Sequence, residues 1–116
     1  MPLSEKVRIE IFIPDLPDPI YGNILEQLGN ELTYAYGGST TIATNGKYRS
    51  SDGLIFPDNV NVLFSDTPFL WERDRLFVEL YADRIRSVVK RALAQEESVL
   101  VAIMSTTLHK VGGARC

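Results

Sequence analysis

The chain has 116 residues, of which 45% are apolar and 23% charged, with a formal net charge of -3 and a pI near 5.1. That size and balance fit one ordinary globular domain and argue against a disordered segment or a strongly basic nucleic-acid binder. No apolar run approaches the roughly 18 residues that a membrane span needs, and the single cysteine, Cys116, excludes an internal disulfide.

Val7, Ile9, Ile11 and Ile13 alternate with Arg8, Glu10 and Phe12, the period-two pattern of a strand that ends at Pro14. Arg8 and Glu10 interrupt the apolar stretch, so it does not read as a signal peptide, and a cytoplasmic protein is expected. Asp18 is placed to cap a helix that Pro19 begins, where a missing N–H costs nothing. Ile20, Ile24, Leu25, Leu28 and Leu32 form its apolar stripe, and Gly37-Gly38 stops it. Ser39 to Thr44 suits a strand, Asn45-Gly46 predicts a type I′ hairpin turn with Lys47 to Ser50 returning antiparallel, and Ser51-Asp52-Gly53 predicts a second turn. Leu54-Ile55-Phe56, the Pro57-Asp58-Asn59 turn and a strand over Val60 to Phe64 follow.

A long helix is predicted from about Pro68 or Glu72 to about Gln95. Its expected buried face is Leu76, Phe77, Leu80, Tyr81, Ile85, Val88, Val89, Ala92 and Leu93, with Arg75 and Glu79 paired outside. Ser98 to Met104 reads as an apolar last strand, and residues 111–116 as a frayed tail. The order β-α-β-hairpin-β-α-β predicts an α+β, ferredoxin-like split βαβ fold, with two helices on one face of an antiparallel sheet. The whole chain, 1–116, reads as a single domain with its core in about 7–104. Phe12, Leu100, Ala102 and Met104 would then face away from the helices, and an exposed apolar face of this kind predicts a homodimer joined through the open sheet face.

Candidate chemistry is thin. Asp15, Asp18, Asp52, Asp58 and Asp66 sit at predicted element ends, where aspartate belongs for backbone hydrogen bonding. A carboxylate just after the first strand, Asp15, also resembles the placement in small ferredoxin-like nucleases of CRISPR systems, which implies a Mg²⁺-dependent alternative. No D-x-D or E-x-x-H spacing supports a metal, and no cofactor is called for. His109, the only histidine, follows Ser105-Thr106-Thr107 and has no evident orienting partner. Gly37-Gly38-Ser39-Thr40 lies between helix and strand, the wrong order for a phosphate loop. Arg84, Arg86, Lys90 and Arg91 are balanced by Asp83, Glu79, Glu96 and Glu97 and read as a solvated face. Lys47, Tyr48 and Arg49 put two cations around an aromatic ring, suited to a small anionic ligand or a single-stranded nucleic acid, or else to a solvated hairpin. Trp71 reads as a ligand lid or as a plug over the sheet edge or dimer seam.

The hairpin residues Gly38-x-Thr40, Gly46-x-Tyr48-Arg49 and Asp52-Gly53-x-Ile55, with Glu96-Glu97-Ser98-Val99-Leu100 later, resemble a family of small uncharacterised bacterial proteins. That family's hairpin reads G-L-T-V, G-Q-W and D-G-R-I, and its last strand begins Q-E-S-V-L. The resemblance spans roughly residues 7 to 104. It implies the fold and the hairpin motif, and no reaction. Here Tyr48 stands at the usual tryptophan, and the Asp66 to Arg73 stretch is longer. The expectation is a non-enzymatic homodimer that binds a ligand or partner through Lys47, Tyr48, Arg49 and Trp71. The alternatives are a dimeric-barrel enzyme using Tyr48 and His109 on a small organic substrate, or a metal-dependent nuclease.

Overall fold

The structure, a computed structural model, describes residues 3–94 and 100–109, and the side chains of 6–94 and 100–105. Eight elements follow one another: β1 (Leu3–Pro14), α1 (Pro19–Tyr36), β2 (Thr40–Thr44), β3 (Lys47–Arg49), β4 (Ile55–Pro57), β5 (Val60–Thr67), α2 (Trp71–Ala92) and β6 (Leu100–His109). Four strands form one sheet in the order β2-β5-β1-β6, every neighbouring pair antiparallel. Each βαβ unit is thus split by a strand of the other, the ferredoxin-like arrangement.

Alternation along β1 decides the layers. Val7, Ile9, Ile11 and Ile13 are fully buried, and the two helices cover that face, α1 over β5 and β1, α2 over β6 and β1. Leu63, Leu28, Leu32, Ile85, Val89 and Leu93 complete the core. Asp18 accepts from the Ile20 amide at 3.0 Å, and Gly37, at φ 89, closes α1 with its N–H to the Thr33 carbonyl at 2.8 Å. A left-handed residue at this cap position is where glycine carries no steric cost.

Helix α2 keeps only part of its predicted face. Ile85, Val89 and Leu93 are buried as expected, joined by Val78 and Ala82, whereas Leu76, Phe77, Leu80 and Val88 are exposed. The helix is apolar on two faces, and periodicity alone does not say which one meets the sheet. The face that meets β6 and β1 is the one that carries Val78, Ala82, Ile85 and Val89. The Arg75–Glu79 pair forms at 2.9 Å as expected. Residues 95–99 and 110–116, including Ser98, Val99 and the tail 111–116, lie outside the described residues.

The hairpin also differs from its prediction. β3 pairs with β4, Lys47 opposite Pro57, Tyr48 opposite Phe56 and Arg49 opposite Ile55, and no turn forms at Asn45-Gly46. A type I′ turn needs positive φ at both central residues, and among the described residues only Gly37 and Gly53 have it. The turn lies at Ser50 to Leu54 instead: the Ser50 amide donates to the Leu54 carbonyl at 2.8 Å, the Gly53 amide donates to the Ser50 carbonyl at 3.0 Å, and Gly53 takes φ 88. β2 and β3 are successive parts of one side of a long hairpin, and β4 and β5 of the other. Pairing holds its register across the break, from Thr44 opposite Val60, through Gly46 bonded to Asp58, to Lys47 opposite Pro57.

Candidate functional site

Three apolar surfaces remain once the core is filled: the exposed stripe of α2 (Leu76, Phe77, Leu80 and Val88), the hairpin arm and the open face of the sheet. Backbone contact at Gly46 sets the root of the arm. The Asp58 amide donates to the Gly46 carbonyl at 2.8 Å, and a Cβ at position 46 would stand 2.5 Å from the Asp58 carbonyl oxygen. Beyond that point Tyr48, Leu54, Ile55 and Phe56 are all exposed, and none belongs to the core cluster. Tyr48 stacks on Phe56 with ring centroids 5.5 Å apart. At the tip the Ser50 hydroxyl donates to Asp52, which holds the Asp52 carboxyl below the ordinary range.

Strand alternation separates the predicted trio. Lys47 and Arg49 lie on one face of β3 and Tyr48 on the other, so the cations do not flank the ring. Among the described residues the cation–ring contacts are Arg8 over Phe64, at 4.2 Å, and Arg75 over Trp71, at 5.4 Å. Trp71 opens α2, half-buried, on a different element from the trio. Neither Lys47 nor Arg49 has a carboxylate partner among the described residues.

On the open face the sheet's register brings together residues that the sequence separates widely. Arg8 of β1 and Asp66 of β5 stand opposite each other and form a two-pronged pair, Nε to Oδ1 at 2.8 Å and Nη2 to Oδ2 at 3.1 Å. The hydrogen bond to Asp66 raises the Arg8 pKa further, against a smaller opposing effect of burial. Asp66 stands one residue from the end of β5 and is paired with Arg8. Around it Ile42, Leu100 and Met104 are exposed and Phe12, Val62, Phe64 and Ala102 half-buried, so the face is largely apolar, with the Arg8–Asp66 pair, Lys6 and Glu10 set into it. Phe12, Leu100, Ala102 and Met104 turn away from the helices, as their alternation predicts.

Elsewhere the polar groups serve the fold. Ser65 and Thr67 are buried; the Ser65 hydroxyl donates to the Gly38 carbonyl at 2.6 Å and the Thr67 hydroxyl to the Val7 carbonyl at 2.9 Å. The Ser39 hydroxyl donates to the Gly29 carbonyl at 3.1 Å, so Gly37-Gly38-Ser39 is a helix stop fastened to α1. Tyr36 and Tyr81 meet edge to face at 6.0 Å, beside Phe69 and Phe77. Burial, followed by the hydrogen bond with Tyr81, pushes the Tyr36 phenol well above its ordinary 10.0; burial likewise raises Tyr81.

The catalytic alternatives find less. Asp15 and Asp58 share a shallow cleft of ≈ 250 Å³ with Pro14, Leu16, Pro57 and Asn59, where the Asp15 amide donates to the Asn59 carbonyl at 3.0 Å. Among the described residues no three His, Cys, Asp or Glu side chains lie close enough to share a metal. The His109 backbone stands opposite Leu3 at the end of β6, and its side chain lies outside the described ones. No described helix is long and apolar enough to cross a membrane.

No protein-family model matches the chain, and no curated protein does. Solved structures do share its fold. CutA from Synechococcus elongatus PCC7942 superposes with a TM-score of 0.54 and 12% sequence identity, over 92% of this chain and 85% of that one. At that identity the likeness is one of fold.

Proposed function

We propose that this protein is a non-enzymatic, cytoplasmic binding module that works as a homodimer, joined through the open sheet face, with the hairpin arm receiving a small anionic ligand. The observation that carries the ligand reading is the pair Lys47 and Arg49. They stand two residues apart on one face of β3, about 7 Å from each other by strand geometry, with no carboxylate partner among the described residues. Two uncompensated cations at that spacing suit a doubly charged small anion such as a dicarboxylate or a phosphate ester. Tyr48, stacked on Phe56 on the opposite face of the arm, and Trp71, with Arg75 against its ring at the start of α2, are proposed as further apolar contacts apart from the anion held by Lys47 and Arg49. Tyr48 has an aromatic ring as its described neighbour rather than an acid or base, which favours binding over catalysis. Kinship with the uncharacterised bacterial family, on the hairpin spacing, belongs to this proposal.

The test is a thermal-shift series with inorganic phosphate, citrate and a nucleoside monophosphate, since a ligand that binds only the folded chain raises its melting temperature. At least one probe is expected to raise the midpoint of the natural chain and leave Lys47→Glu/Arg49→Glu unmoved, with the mass in light scattering unchanged. Both positions are exposed, so the variant keeps its fold. A shift that survives in the double variant, or no shift with any probe, would remove the arm as the binding site.

A further inference from the structure

The register sorts the outward side chains of the sheet into rows that run from edge to edge. One row is Ile42, Val62, Phe12 and Leu100, apolar throughout; the next is Thr40, Phe64, Glu10 and Ala102; the third is Asp66, Arg8 and Met104. Charge on this face balances within itself, Lys6 and Arg8 against Glu10 and Asp66, as a surface that meets its own copy requires.

A second copy can cover such a face in two ways. A two-fold axis lying across the strands inverts the order of the rows. It stacks the Phe12 row on itself only by carrying Arg8 and Asp66 past the end of the partner's sheet. When it is shifted to cover them, the Phe12 row meets the polar end of the partner's strands. An axis parallel to the strands leaves each row at its own height and reverses the order of the strands, so that β2-β5-β1-β6 faces β6-β1-β5-β2. β1 then lies on the partner's β5. Phe12 meets the partner's Val62, and Arg8 meets the partner's Asp66 while its own Asp66 meets the partner's Arg8.

Resting on the reading of the open face as the dimer interface, we infer that two copies pair about an axis parallel to the strands, with β2 of each copy along β6 of the other. The edges support this independently. Thr40–Thr44 and the described first half of β6, Leu100 to Ser105, contain no charge and no proline, the devices by which edge strands avoid pairing. β2 and β6 run in opposite directions within one sheet, and this axis preserves strand direction, so the new pair is antiparallel. The two sheets, about 10 Å apart at their centres, curl together at both edges to close a barrel. Ile42 falls beside the partner's Leu100, and the apolar row continues across the seam. Four strands spaced about 4.8 Å apart over three rows about 6.8 Å apart give roughly 400 Å² per copy, about 800 Å² in total, the size of a weak interface, to which pairing of the edges adds.

Disulfide trapping tests the axis. Ile42→Cys and Leu100→Cys are made in a Cys116→Ser background; both sites are exposed. Within one chain they lie on opposite edges of the sheet, about 14 Å apart across three strand spacings, beyond the reach of a disulfide. Under mild oxidation the double variant is expected to become almost wholly covalent dimer. An equal mixture of the single variants links about half its chains, and each single variant alone links none. Linkage of Ile42→Cys alone, or a dimer in light scattering with no linkage in any variant, overturns this axis and leaves the dimer standing. A monomer in light scattering refutes the dimer and the axis together.

Discussion

Gly46→Ala tests the root of the arm, where the sequence pattern and the structure part most clearly. If Asn45-Gly46 were a type I′ turn, both residues would need positive φ. In the structure neither has it, and Gly46 is required for a different reason: an alanine Cβ would stand 2.5 Å from the Asp58 carbonyl oxygen, well inside van der Waals contact. That oxygen is backbone and cannot rotate away, so the two sides of the hairpin must separate, and the Asp58–Gly46 hydrogen bond at 2.8 Å is lost with them. A lost hydrogen bond costs about 0.5–1.5 kcal/mol, and the displaced backbone adds a similar amount. Restricting the unfolded chain returns about 0.4–1 kcal/mol. The net expectation is about 1–2 kcal/mol of destabilisation, or a fall of roughly 4–10 °C in melting temperature for a domain of this size. Gly38→Ala is the control, with nothing within 4 Å of its Cβ and no positive φ; it should be neutral or slightly stabilising. Calorimetry on the two variants and Asn45→Ala, with amide exchange at Asp58, decides the matter. Equal melting temperatures for Gly46→Ala and Gly38→Ala, or a loss of more than 1 kcal/mol in Asn45→Ala, would refute the close approach and restore the turn.

Two further outcomes follow from burial. Ile11→Ala empties a fully buried position at the centre of β1 and should cost about 2–5 kcal/mol in urea unfolding. Leu80→Ala, at a site 70% exposed on α2, should stay within about 0.5 kcal/mol, and the reverse ranking would mean that α2 turns its larger apolar face inward. For the phenols, the folded pKa values of Tyr36 and Tyr81 lie above the unfolded 10.0, mainly through burial. The folded state therefore holds those protons more tightly. Their contribution is complete below pH 10 and disappears as the pH climbs toward the folded values. An absorbance titration should show two late tyrosines whose ionisation coincides with unfolding. Tyr36 and Tyr81 ionising near 10.0, with circular dichroism unchanged, would contradict it.

Much of the fold was legible because its causes are local. Alternation over Val7 to Ile13 marks β1, Asp18-Pro19 and Gly37 mark the ends of α1, and the spacing of apolar residues marks both helices, since each signal depends on neighbours within a turn or two. The order of those elements was enough for the split βαβ topology, because few arrangements cover one face of an antiparallel sheet with two helices. The ligand candidates were legible only as residue types; that Lys47 and Arg49 share a face of β3 while Tyr48 takes the other follows from knowing that this segment is a strand.

What the sequence could not decide is what depends on distant parts of the chain. Asn45-Gly46 carries a sound turn signal, yet the pairing of β2 with β5 carries the chain straight on, because the four-stranded sheet outweighs a two-residue preference. The apolar stripe of α2 was visible, but which of its two faces is buried depends on how the helix lies on β1 and β6. Arg8 and Asp66 are separated by 58 residues, and only the register of β1 against β5 makes them partners. By itself the sequence determined the elements and their order, since periodicity and capping are encoded within each segment. The tertiary structure alone decided which surfaces are left over, the arm, the open sheet face and the outer stripe of α2, because exposure is what remains after every segment has found its neighbour.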